Sequence, residues 1–208
     1  MTELDQALTD IRAIRRHVAQ TTEFQGYGPA TLSATALLAL LASAAQARWI
    51  ADPASHPAAF LALWLCTAIL CAALIATQML TRASHLHGGM ADEMIRMAVL
   101  QFLPAAIAGA ALPFVLLRGP HSVFWMLPGL WQIVFSLGIF ASGRCMPRSM
   151  VAAGLWFLLS GFACLSLGDA RALAPAWMGI PFALGMALVA AIHYRANRAA
   201  AAGREPVE

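Results

Sequence analysis

Trp125-Met126-Leu127-Pro128-Gly129-Leu130-Trp131-Gln132 lies inside an apolar run covering 122–141. A run of that length can cross a hydrocarbon core of ~30 Å, which takes ~20 residues of α-helix. Lipid offers no partner to a freed carbonyl or to an amide, so a Pro-Gly pair and a glutamine at that depth have to face protein. On a helix Trp125, Pro128, Gly129, Gln132 and Ser136 fall at i, i+3, i+4, i+7 and i+11 and share one face. That face is predicted to turn away from lipid. Pro128 has no N–H to offer the Phe124 carbonyl, so a kinked helix is expected here.

Five further apolar runs, at 30–50, 58–80, 96–117, 149–168 and 175–194, repeat the pattern. The fold predicted is all-α, a bundle of six transmembrane helices preceded by a cytoplasmic amphipathic helix. Composition agrees: 61% of the 208 residues are hydrophobic and 11% charged, where a soluble domain has about 25% charged residues. The net charge of +3 is dispersed at segment ends, with no basic block and interleaved aromatics, so a nucleic-acid partner is not expected. Short connections carry turn chemistry, among them Asp52-Pro53, His56-Pro57, Gly119-Pro120 and Gly168-Asp169. They predict antiparallel pairing of spans one with two, three with four and five with six.

Arginine placement sets the orientation. All 13 basic residues are Arg, and ten of them fall in the N-terminal tail, the second and fourth connections and the C-terminal tail; Arg48, Arg118 and Arg171 are the exceptions. The positive-inside rule then makes both termini cytoplasmic, in a bacterial inner (plasma) membrane. The chain divides into 1–29 (amphipathic helix and Gly/Pro hinge), 30–194 (six spans) and 195–208 (cytoplasmic tail). In the first segment Leu4, Ala7, Leu8, Ile11, Ile14 and Val18 recur at helical spacing opposite Asp5, Asp10, Arg12, Arg15 and Arg16. Two uses fit residues 1–20: a helix lying on the lipid bilayer or its own bundle, and a docking helix for a protein partner or a second copy.

Small residues mark helix contacts where lipid supplies no hydrophobic drive. Gly154, Gly161 and Gly168 form a seam along span five, and Gly179, Ala183 and Ala187 one along span six. Span one offers Ala39, Ser43 and Ala47, and span three Ala105 and Gly109. Trp125-Met126 with Pro128 echoes Trp177-Met178 with Pro181, either a trace of a duplicated hairpin or a recurrence that biased composition produces.

The chemistry on offer is sparse. None of the six apolar cores carries Asp, Glu, Lys or His at depth, which argues against an ion-coupled carrier and an intramembrane hydrolase. Haem needs axial ligands within the spans, whereas the six histidines lie in tails, loops or span ends; no cofactor is expected. His85 and His87 with Asp92 and Glu93 could supply nitrogen and oxygen ligands to a metal. The simpler account is a solvated loop whose acids favour the start of span three. Cys145, between Arg144 and Arg148, is the one cysteine in an electropositive setting. Trp125, Pro128, Gly129, Trp131 and Gln132 remain, read either as structural glue or as the walls of a pocket for a small neutral or amphiphilic molecule.

The amphipathic N-terminus, Glu23-Phe24-Gln25-Gly26-Tyr27-Gly28-Pro29, Leu127-Pro128-Gly129-Leu130-Trp131-Gln132 and Trp177-Met178-Gly179-Ile180-Pro181-Phe182 together resemble a group of uncharacterised bacterial six-span integral inner-membrane proteins. The resemblance covers most of the chain and implies fold and location, with no activity, cofactor or catalytic residue. The expected function is that of a non-enzymatic sensor or regulatory subunit acting through helix and partner contacts. The alternative is a substrate-binding or transport subunit, and an enzyme using the His85/His87 loop ranks third.

Overall fold

The computed structural model describes residues 28–85, 90–118, 121–142 and 149–202, with the backbone alone for 29, 82–85, 90–98, 121–122 and 196–202. Six α-helices follow in order: α1 (Pro29–Trp49), α2 (Pro57–His85), α3 (Met90–Arg118), α4 (Leu127–Ala141), α5 (Met150–Leu165) and α6 (Pro175–Ala202). Short 3-10 helices at His121–Met126 and Ala170–Leu173 precede α4 and α6. No strand occurs among the described residues. The amphipathic segment 1–20, its hinge at 23–27 and the residues after 202 lie outside them.

The helix ends follow from local chemistry. Pro29, Pro57 and Pro175 each open a helix, where a missing N–H costs nothing and a fixed φ already suits the first turn. The Asp52 carboxylate accepts from the backbone N–H groups of Ala54 and Ser55, shaping the turn that leads into α2. Beyond α5, Gly168 adopts φ +70, a left-handed conformation that glycine takes without a Cβ clash. Asp169 then accepts from Arg171 N–H to start the next 3-10 turn.

Five helices are long and apolar enough to cross a membrane: Ala30–Trp49, Pro57–Thr81, Val99–Arg118, Val123–Ala141 and Pro175–Arg195. The fifth expected span is shorter than its apolar run. Its helix covers Met150–Leu165, 16 residues, or about 24 Å at 1.5 Å per residue, and Ser166 to Gly168 turn away. The described residues are therefore those of an all-helical membrane protein, with five helices of span length and one shorter apolar helix among them.

The helices form a ring. The neighbouring pairs α1–α2, α3–α4 and α5–α6 do pack together, yet the most extensive interfaces join α1 to α6 and α4 to α5, and α2 barely touches α3. Two apolar clusters fill the bundle. One gathers Leu32, Ile139, Met150, Phe157 and Val189; the other gathers Phe60, Trp64, Phe124, Leu127 and Met178. Phe60 meets Phe124 edge-on at 5.8 Å and stacks on Trp131 at 6.5 Å between centroids. Both geometries are favourable for aromatic pairs.

Glycines set the close approaches. A Cβ on Gly129 would lie 2.9 Å from the Gly161 carbonyl, and one on Gly161 would lie 2.8 Å from the Gly129 carbonyl. These two residues are where α4 and α5 cross. Gly154 lies against the Phe140 ring, Gly179 against Ser43 and Gly185 against the Phe157 ring. The expected seam on span five thus holds at Gly154 and Gly161, while Gly168 terminates the helix instead.

Candidate functional site

A proline inside a helix deprives the carbonyl four residues earlier of its donor. Pro181 lies inside α6 and does this to Trp177; Pro113 lies inside α3 and does it to Gly109. Both carbonyls receive a side chain from α4. Gln132 Nε2 donates to the Trp177 carbonyl at 2.7 Å, and Trp131 Nε1 donates to the Gly109 carbonyl at 2.8 Å. Two consecutive residues of one helix thereby repair the proline breaks of two others. In a bilayer each such bond is worth ~1 kcal/mol or a little less.

Pro128 behaves differently from expectation. It stands in the first turn of α4, after the 3-10 helix, so it interrupts no α-helical ladder and makes no mid-helix kink. The change from 3-10 to α geometry at Met126–Leu127 takes the place of the predicted bend. The face itself is as expected: Pro128, Gly129, Gln132 and Ser136 are all buried, and Trp125 is half-buried against the aromatic cluster. The echo between Trp125–Pro128 and Trp177–Pro181 is local only, since Pro128 starts a helix and Pro181 sits within one.

Further donors converge on the start of α6. Gln46 Nε2 donates to the Leu173 carbonyl at 2.7 Å, and Ser43 Oγ donates to the Pro175 carbonyl at 2.9 Å, both from α1. From α5, Trp156 Nε1 donates to the Pro181 carbonyl at 2.9 Å. Trp64 Nε1 of α2 completes the set by donating to Gln46 Oε1 at 2.8 Å. Carbonyls of Leu173, Pro175, Trp177 and Pro181 thus bind α1, α4 and α5 to one segment. Gln132 Oε1 is fully buried and has no donor among the described residues.

Gln46, Ser43, Trp64 and Trp156 join this network as donors that the sequence does not single out. Gln46 sits near the end of an alanine-rich span, where an amide reads as interfacial; the signal available was the cluster of Pro175, Pro181 and the tight Leu173–Pro175 turn needing donors. His193 was placed at a span end, and it is buried with Nδ1 2.9 Å from the Val189 carbonyl.

For the metal reading, His85 is the last residue of α2 and Asp92 and Glu93 lie in the first turn of α3, while His87 falls outside the described residues. Among the described residues no group of three or more His, Cys, Asp and Glu side chains comes together. Cys145 also falls outside. Cys66, Cys71 and Cys164 are free thiols on separate stretches of α2 and α5.

A cleft of about 400 Å³ opens at the end of the bundle that carries the α1–α2 and α5–α6 connections. Ala47, Ile50 and Ala51 form one wall, Asp52 and Pro53 the rim, and Ala170, Leu173, Ala174 and Pro175 the other wall. Hydrogen bonds from Ser55 and Ala54 hold the Asp52 carboxyl below the usual carboxylate range. Across the turn, Asp169 and Arg171 pair at 2.8 Å on the surface, and the guanidinium likewise lowers the Asp169 carboxyl.

Compared with known families, curated proteins and solved structures, the chain matches none.

Proposed function

We propose that this chain is a non-enzymatic multi-pass protein of a bacterial inner membrane, with both termini cytoplasmic, working as a sensor or regulatory subunit through helix and partner contacts. The resemblance to six-span inner-membrane proteins belongs to this proposal, as does the orientation drawn from the arginines. One observation carries it. The buried amides Gln46 and Gln132 and the partly exposed indoles Trp131 and Trp156 all donate to neighbouring helices or their connections, while α2 and α3 carry exposed apolar side chains such as Ile69, Leu70, Ile107 and Phe114 along their outer sides. The interior is thus committed to holding the bundle together, and the surface of α2 and α3 is left for lipid and for a partner's helix. Residues 1–20 would supply a second, cytoplasmic contact.

A photo-crosslinking residue placed at Ile107 or Ile69 in native membranes tests this. A discrete protein adduct, weakened by deleting residues 1–20, is expected. Adducts to lipid alone at both positions would end the proposal.

The second reading, a pocket for a small neutral molecule among Trp125, Pro128, Gly129, Trp131 and Gln132, draws support from the buried Gln132 Oε1 that lacks a donor. A buried acceptor without a partner costs ~1–3 kcal/mol, which a hydroxyl-bearing ligand would relieve. Ligand-dependent thermal stabilisation that disappears in Gln132→Leu supports it; a metabolite screen without any stabilisation removes it.

A further inference from the structure

We propose that the cleft between the α1–α2 and α5–α6 connections is a binding site for a small amphiphilic cation, an organic ammonium with an apolar body, whose charge is met by Asp52. Size comes first. About 400 Å³ falls within the range of small-molecule pockets, which runs from about 300 to 1,000 Å³. The walls are alanines with Ile50, Leu173 and two prolines, suited to an aliphatic or aryl body and lacking any side-chain donor for an anion.

Charge comes next. Among the described residues Asp52 is the one ionisable residue in the lining. Its Oδ1 accepts from the Ala54 and Ser55 N–H groups and its Oδ2 from the Ser55 hydroxyl. A carboxylate offers about four acceptor positions, so a further donor can be received. These bonds hold the carboxylate in place, so it need not be ordered when a ligand arrives. Ala47 and Ile50 belong to the C-terminal end of α1, where the helix dipole presents its negative pole and favours a cation. Arg48, on the last turn of α1, is outside the lining, and Arg171 is engaged by Asp169.

The position gives the site a consequence. Leu173 and Pro175 belong to the segment whose carbonyls are bound by Gln46 and Ser43, whereas Asp52 and Pro53 belong to the loop feeding α2. A ligand seated between them bridges the tightly bonded part of the bundle to the loosely packed α2. This site is separate from Gln132 and stands whether or not that residue binds anything.

The test uses the full chain in lipid nanodiscs, with empty nanodiscs subtracted, and titrates phenylethylammonium against its neutral analogue phenylethanol and the anion phenylacetate by calorimetry. Ammonium binding at least about ten-fold tighter than that of the alcohol or the anion is expected. Asp52→Asn keeps a side-chain oxygen for the Ala54 and Ser55 N–H groups and should lower ammonium affinity to that of the alcohol. Ala51→Trp, which fills the cleft from its exposed wall, should abolish binding of both while leaving the thermal midpoint unchanged. Equal affinity for ammonium and alcohol, an unaltered affinity in either variant, or no saturable ammonium binding to the wild type would overturn the proposal.

Discussion

The start of α6 and the middle of α2 are both helical, apolar and of span length, and they use their polar groups in opposite ways. Around α6, side chains reach across: Ser43, Gln46, Gln132 and Trp156 donate to backbone carbonyls of another element. Between Trp64 and Gln78, which reach α1 and its start, the hydroxyls of α2 stay at home: Thr67 bonds the Leu63 carbonyl and Thr77 the Ala73 carbonyl, each within its own helix. Burial follows the same division. Of the apolar windows, 44% of Val123–Ala141 and 39% of Pro175–Arg195 are buried, against 11% of Pro57–Thr81 and 6% of Val99–Arg118. The difference teaches that hydrophobicity alone positions none of these helices, because lipid is as apolar as leucine. Position comes from close backbone approach and cross-helix hydrogen bonds, and those gather on one side of the ring.

The contrast breaks most visibly at the α4–α5 crossing. Gly161→Ile would drive a side chain into the Gly129 carbonyl and Ile133, and a loss of ~3 kcal/mol is expected by thermal or denaturant unfolding in detergent. Gln132→Leu ranks next. It leaves the Trp177 carbonyl without a donor, at a cost of ~1–2 kcal/mol. Pro181→Ala restores the N–H that this carbonyl lacks, so in that background Gln132→Leu should cost markedly less. Coupling of ~1 kcal/mol in the double-mutant cycle is the expected result; strict additivity would separate Gln132 from the proline. Trp131→Phe keeps the stack on Phe60 and loses the bond to Gly109, and ~1 kcal/mol should follow. On α2, Thr77→Val removes only a bond within its own helix, so stability should stay within ~0.5 kcal/mol.

Smallest of all is the response to acid. Asp52 and Asp169 both have carboxyls held below the usual carboxylate range by hydrogen bonds, from Ser55 and Arg171 respectively. A carboxylate lowered on folding stabilises the fold above its unfolded pKa of ~3.9, and that contribution is lost only as pH falls through the lower folded value. These two residues should therefore contribute no change in thermal midpoint between pH 5 and 8. A shift mapped to either by Asn substitution would contradict the hydrogen-bonding described.

Much of this division was legible in the sequence, and some was not. The apolar runs gave the helices because ~20 residues without charge permit little else in hydrocarbon. The buried face of Pro128, Gly129, Gln132 and Ser136 was legible for the same reason, since an amide and a Pro-Gly pair have no partner in lipid. The kink was misplaced because a proline's effect depends on where its helix starts, and a run of apolar residues hides a change from 3-10 to α geometry. The shortness of α5 was hidden likewise: Ser166 to Gly168 are as compatible with a helix end as with its last turn. Partners of Gln132 and Trp131 required knowing which prolines lie within a helix and which at its start. Pro104, Pro113 and Pro181 lie inside helices and remove a backbone donor, and the last two are those answered from α4; Pro29, Pro57, Pro128 and Pro175 stand at helix starts and do not.

Trp131 and Gln132 are consecutive, so on an α-helix their side chains leave the axis about 100° apart. One is fastened to α3 and the other to α6. Two tethers diverging by that angle fix the azimuth of α4: turning it either way stretches at least one of them, and sliding it along its axis strains both. α4 is therefore keyed against rotation and piston motion, with α3 and α6 tied to it, and a signal crossing this protein would have to travel as a displacement of the loosely packed α2 beside a stationary shaft.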